Sequence, residues 1–271
     1  MSRAWLLSWG LLLACGPAVG ADIFTASFTD PRELVGLGVE PSTDVVSVPG
    51  FPQTLVFDVS WGVIGVGQST LEMSRLVDFN GRPAYEIVSR AVSNGFCDTF
   101  FKVRDVNYSW LDARTLSSLG YLKNLREGHF YRDEWTLFDH AAKRYLAKWA
   151  GRDHHYSVRQ GTIPVPVQDI LSSMVFIRTQ ELKEGAEIIL DVNTKENWPL
   201  VVKVVKRTKV KVPAGRFDTF LLEPALRKEG IFIQKGKRLR VWVTADERRI
   251  PVLMKVEVFF GHITAALHTL N

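Results

Sequence analysis

Gly62, Gly65 and Gly67 are the first residues in this chain whose type and spacing suggest chemistry, since clustered glycines can let a backbone wrap a phosphate. That chemistry needs the glycines to open a helix. Here Gln68-Ser69-Thr70-Leu71-Glu72 continues as an alternating strand, so the glycines are expected to mark a bulge or bend in a sheet. Gly67-Gln68-Ser69 resembles half of a nucleophile elbow, but Leu71 stands where the second glycine belongs and no serine hydrolase follows.

Metal chemistry needs converging ligands. His154 and His155 are adjacent and would point to opposite faces of a strand, and His129, His140, His262 and His268 are scattered. With no CxxC, HxxxH or acidic loop, neither a metal nor a cofactor is expected. Asp169 and Asp246 are the carboxylates to test for acid or base work, yet no catalytic motif surrounds either, and the expectation is a protein that is not an enzyme.

Two sets of candidate binding residues remain. Gln168, Asp169, Arg178 and Trp242 are candidates for lining one mouth of a sheet and meeting a ligand there. Each also has a structural reading: Asp169 caps a helix through the Ser172 amide, Arg178 pairs with a carboxylate such as Glu223, and Trp242 fills a core. Asp246 is likewise expected to pair with Arg248 or Arg249. In the run Val202 to Val212, alternation places Lys203, Arg207, Lys209 and Lys211 on one strand face. That basic ribbon reads either as a solvated face that discourages edge pairing or as a surface for anionic envelope lipid.

The elements that must position these residues are mostly strands. From Thr54 onward, runs of Val, Ile, Phe, Tyr and Thr are broken by turn chemistry at Asn80-Gly81, Glu127-Gly128, Pro213-Ala214-Gly215, Lys235-Gly236 and Asp246-Glu247. One segment departs from that rhythm. Ile170, Leu171, Met174, Val175 and Ile177 recur at helical spacing, which predicts a helix within Pro166 to Leu182, with Pro166 suited to its first position and Gly185 to its terminus. The expected fold is mainly β, a single curved antiparallel sheet or open barrel with one short buttressing helix. Residues 54–271 form its one domain, and 21–53 an irregular leader.

Composition narrows the setting. The chain has 271 residues and is 46 % hydrophobic, enough for a sizeable core, and its net charge of +5 is mild for a nucleic-acid binder, so no nucleic acid is expected. Arg3, the apolar run Trp5 to Ala14 and the small residues Ala18-Val19-Gly20 read as a secretory signal peptide over residues 1–20, with cleavage before Ala21. Leu12-Leu13-Ala14-Cys15 offers the alternative of acylation at Cys15 and a membrane-tethered lipoprotein. No later segment is apolar for long enough to cross a bilayer, so no transmembrane span is expected in the mature chain. Only Cys97 then remains, and an internal disulfide is impossible.

Three blocks, in this order and spacing, resemble the bacterial exported proteins of the domain of unknown function 3108 family. They are Phe57 to Gly62 with Gly65 and Gly67; Val165 to Ser172 running to Arg178; and Val212 to Phe217 joined to Trp242 to Val252. The resemblance spans about residues 55 to 267 and implies a periplasmic protein with a curved, mostly antiparallel β architecture, but no reaction or catalytic residue. Two functions are therefore expected in competition. One is a non-enzymatic periplasmic protein holding an apolar or lipid-like ligand in its curved sheet. The other is an envelope assembly or structural factor that binds a protein or an anionic lipid surface through the basic strand face.

Overall fold

Alternating strands joined by tight turns favour pairing between chain neighbours, and the computed structural model shows such hairpin-linked strands over residues 30–38, 44–226 and 238–271, the residues it describes. Residues 1–20, expected to be a signal peptide, with Cys15, and the turn expected at Lys235-Gly236 lie outside them. In chain order the strands are β1 (Val35–Gly38), β2 (Gln53–Trp61), β3 (Ile64–Phe79), β4 (Arg82–Ser93), β5 (Arg104–Asp112), β6 (Ser118–Glu127), β7 (Phe130–Asp139) and β8 (Arg144–Ala150). They continue as β9 (Tyr156–Thr162), β10 (Glu187–Asn193), β11 (Asn197–Val212), β12 (Gly215–Leu226), β13 (Leu239–Thr244), β14 (Pro251–Glu257) and β15 (His262–Leu270). A four-residue helix α1 (Gly95–Asp98) and a longer α2 (Ile170–Thr179) interrupt them.

All fifteen strands belong to one antiparallel sheet in the order β10 to β15, then β2 to β9, with β1 added beside β3. The sheet curls but does not close. The β8–β9 edge is tied by side chains to the turn between β10 and β11: Asn197 donates to the Thr162 carbonyl at 2.6 Å, Tyr145 to the Lys195 carbonyl at 2.6 Å, and Arg159 pairs with Glu196. The expected turns appear where the sequence places them. Asn80 and Gly81 both take positive φ at the β3–β4 reversal, as a two-residue hairpin loop requires, and Pro213-Ala214 joins β11 to β12.

Register separates the two faces of the sheet. The inner face carries Phe57, Ile87, Ser109 and Tyr121, and the Ser109 hydroxyl meets the start of α2 at Asp169. Leu171 and Val175 pack with Leu55, Phe57, Met73 and Ile87 in one core, and Ile177 packs with Val192, Val202, Val204 and Leu222 in a second. The outer face has a cluster of its own around Trp110, Trp135 and Leu137. Leu34 and Val35 cover it, so the segment expected to be an irregular leader contributes a strand, β1, and a lid over apolar surface.

The helix is shorter than its apolar spacing suggests. It begins at Ile170 rather than Pro166 because Asp169, in extended conformation, accepts from the Leu171 and Ser172 amides while the Ser172 hydroxyl accepts from the Asp169 amide, a capping box. It ends at Thr179, where Gln180 turns extended, well before Gly185. Ser172, Ser173 and Arg178 are buried along with the apolar positions, so α2 lies inside the curl.

Candidate functional site

Each residue singled out in the sequence has a definite place. Asp169 is wholly buried, and its second carboxylate oxygen accepts from Ser109 at 2.7 Å and Ser118 at 2.6 Å. Burial pushes its carboxyl up, and the hydroxyls of Ser118 and Ser109 with the Ser172 amide pull it back. Gln168, 2 % exposed, donates to the Leu116 carbonyl at 2.7 Å, and its backbone bridges to Val192 of β10. These two residues therefore pin the helix entry to the sheet.

Arg178 sits at the other end of α2, roughly 14 Å away at 1.5 Å of rise per residue. The expected partner Glu223 binds Arg240 instead, at 3.0 Å. Arg178 donates to the carbonyls of Pro49 (2.7 Å) and Arg248 (3.0 Å) and to the Gln53 side chain (3.1 Å). Burial lowers its pKa to about 10, with the charge of Asp246 opposing that shift. Asp246 pairs with Arg248 at 2.8 Å, as one of its two expected partners, while Arg249 donates to the Arg178 carbonyl. Trp242 is half-buried and packs against the core that holds Leu171 and Val175, the core-filling role its size allowed. The four residues expected at one mouth are thus divided between the two ends of α2 and the core packed on it, and the polar ones satisfy groups of the protein itself.

The basic ribbon is divided too. A bulge at Val205 shifts the β11–β12 register between Val204, opposite Leu222, and Lys206, opposite Leu221. An extra residue reverses the alternation beyond it. Lys203 consequently lies on the face of Thr208 and Val210, and Arg207, Lys209 and Lys211 lie on the face of Val204, all four exposed. Strict alternation could not have revealed this.

A different surface emerges from the register. Beyond Val241, Met254 and Ala265, which pack at the margin of the cores that hold α2, the inner face presents Val59, Val256 and Ile263, all half-buried. Facing around the same inner wall are Asn107, Lys123 and Glu134, neighbours across β5, β6 and β7, with Thr136 two residues further along. Lys123 Nζ is 4.0 Å from Glu134 Oε1, and Lys195 reaches the other Glu134 oxygen at 3.0 Å. Burial lowers the Lys123 pKa, opposed by the charge of Glu134.

Within the described residues, Glu134 Oε1, Thr136 Oγ1 and Asn107 Oδ1 have no hydrogen-bond partner. Buried polar atoms are ordinarily paired, so this patch is where a polar group entering the curl would find donors and acceptors. Its chemistry is hydrogen bonding beside an apolar wall. No group of three or more His, Cys, Asp or Glu residues suited to a metal occurs among the described residues, and no helix among them is long and apolar enough to cross a membrane. No motif links the members of this patch, which lie on three strands and the β10–β11 turn and meet only in the fold.

The family model for Protein of unknown function (DUF3108) matches residues 56–268. Among solved structures, the chain is similar to the crystal structure of a beta-barrel-like protein of domain of unknown function DUF1849 from Brucella abortus. The TM-score is 0.56 at 11 % identity, over 83 % of this chain and 99 % of that one, a likeness of fold alone. No curated protein matches.

Proposed function

The chain belongs to the DUF3108 family of proteins of unknown function, and from that premise we propose that it is a non-enzymatic, exported envelope protein that holds a lipid-like ligand inside its curled sheet. The observation that carries this reading is the half-buried apolar inner wall of Val59, Val256 and Ile263, which continues from Met254 at the margin of the helix-bearing core, beside the polar set around Lys123 and Glu134. Ligand sites of this kind combine a largely apolar lining with a few convergent polar groups. An acyl chain would lie along β14, β15 and β2, with its polar end toward Lys123. Export rests on the signal-like first twenty residues, with cleavage before Ala21 or acylation of Cys15.

Native mass spectrometry of the protein purified from an envelope fraction tests the reading. The expected spectrum contains an adduct of lipid mass, released by collisional activation and depleted by Met254→Glu and Ile263→Glu, which place charge on the apolar wall. A spectrum of bare chain from freshly prepared envelope defeats it.

A further inference from the structure

Exposed aromatic and aliphatic side chains are concentrated at one end of the sheet. Successive reversals at that end carry Val63 (β2–β3), Phe96 and Phe100 (β4–β5), Phe130 (β6–β7), and Phe259 and Phe260 (β14–β15). Their exposure runs from 48 % for Phe130 to 80 % for Phe259 and 99 % for Val63. The turns touch one another in sequence. Trp61 Nε1 donates to the Phe260 carbonyl at 2.6 Å, Asn94 to the Gly65 carbonyl at 2.8 Å, and the Gly128 amide to the Lys102 carbonyl at 2.7 Å. Arg152 of the β8–β9 turn then lies 5.3 Å from the Tyr131 ring centre. The result is a continuous rim rather than scattered surface residues, and contiguous exposed apolar surface marks a place of interaction.

Cations are set between the rings. Arg132 lies 5.8 Å from the Phe130 ring centre and Arg126 5.4 Å from that of Tyr131. Arg238, Arg240, Lys255 and His262 line a concavity on the neighbouring strands, with Glu257 its one acidic member. Along the turns Lys102, Arg132 and Arg152 add to these cations, while Arg104 is paired with Asp98 at 2.5 Å and Arg126 with Asp133 at 2.7 Å. Aromatic rings that enter the interfacial layer, flanked by cations that meet head-group phosphates, are the two components of peripheral attachment to anionic lipid.

We propose that this rim docks end-on to an anionic lipid bilayer, with Phe96, Phe100, Phe259 and Phe260 inserting and the interleaved arginines and lysines contacting lipid phosphates. The rim lies at the opposite end of the sheet from the β11–β12 turn toward which Arg207, Lys209 and Lys211 run, so the two basic surfaces are separable. The inference stands apart from the ligand reading. Docking persists in a protein that carries no lipid inside it, and an internal ligand persists in a protein that does not dock.

The test is co-sedimentation of the purified full chain with vesicles of phosphatidylglycerol and phosphatidylcholine, and with phosphatidylcholine alone. Four chains are compared: wild type, Phe96→Ser/Phe100→Ser/Phe259→Ser/Phe260→Ser, the ribbon reversal Lys209→Glu/Lys211→Glu, and Ile189→Ser. Ile189 is 65 % exposed on β10, away from the rim. The wild type is expected to bind the anionic vesicles at low salt, at least tenfold more weakly to phosphatidylcholine, and more weakly still as salt rises. The four-serine chain, folded by circular dichroism, is expected to bind at least tenfold more weakly, whereas the other two variants match the wild type. Equal binding by the folded four-serine chain overturns the proposal, as does absence of wild-type binding at low salt. Equal loss in the ribbon or Ile189 variant does the same.

Discussion

Lys123 and Glu134 oppose each other across β6 and β7, 4.0 Å apart at Nζ and Oε1, with side chains 3 % and 2 % exposed. Lys195 holds the other Glu134 oxygen, so the carboxylate has two cations, and Glu134 is the strongest opposite charge on Lys123, ahead of Glu127. Removing Glu134 leaves Lys123 buried without its counter-charge, whereas removing Lys123 leaves Glu134 still paired. Glu134→Gln is therefore expected to cost about 3 kcal/mol in urea unfolding, with a clearly smaller loss for Lys123→Met. Equal losses would show that the two charges are not coupled in this way.

Gly67 has no room for a side chain. A Cβ there would lie 2.1 Å from the Val92 carbonyl oxygen and 2.8 Å from Ser93 Cα, on the neighbouring backbone of β4, whereas one at Gly65 would meet nothing within 4 Å. Gly67→Ala is expected to destabilise by about 3 kcal/mol and Gly65→Ala by no more than about 0.5 kcal/mol, as read by denaturant midpoint. A silent Gly67→Ala would mean that β3 and β4 are further apart than described.

Asp169→Ala removes a helix cap and also strands the buried hydroxyls of Ser109 and Ser118. The combined expectation is a loss of about 3 kcal/mol, against about 1 kcal/mol for Asp246→Ala, whose partner Arg248 is half exposed. Should Asp169→Ala keep the wild-type melting temperature yet lose function in the cell, Asp169 would have a role beyond structure.

Asp105 and Glu127 titrate as neighbours at the β5–β6 margin. Burial raises both carboxyls, and for Glu127 the charge of Asp105 raises it further. A carboxyl raised in the folded state stabilises fully below its unfolded value near about 4, and the contribution is lost as pH rises through the folded value. Asp105→Asn, which can still accept the Arg126 amide, should gain in melting temperature relative to wild type between pH 4 and pH 7. A constant difference across that interval would remove the pair as the cause.

Much of this architecture is legible in the sequence, for reasons local to each segment. Asn80-Gly81 carries the positive φ its turn needs, Asp169 and Ser172 stand at capping distance, and Gly65 to Gly67 coincide with the register shift between Val59 and Ser60. The family resemblance holds over nearly the span read from its blocks. What stays hidden depends on pairing between distant segments. A single bulge at Val205 moves Lys203 away from its apparent companions, and Arg178 finds backbone carbonyls from loops far along the chain rather than a carboxylate. The aromatic rim is hidden for the same reason, because each turn contributes only one or two residues and only the meander brings them side by side.

The unclosed edge between β9 and β10 gives the sheet the mechanics of a split ring. A closed barrel has a fixed girth, because widening it breaks a full ladder of backbone hydrogen bonds. Here circumference is set by a few clasps, the Asn197 amide on Thr162, the Tyr145 hydroxyl on Lys195, the Arg159–Glu196 and Lys195–Glu134 pairs and the short Gln168 bridge to β10. Loosening them lets the bore dilate while every strand keeps its existing partner. Bore and strand length are therefore independent dimensions in this fold, and the interior can be resized without unravelling the wall.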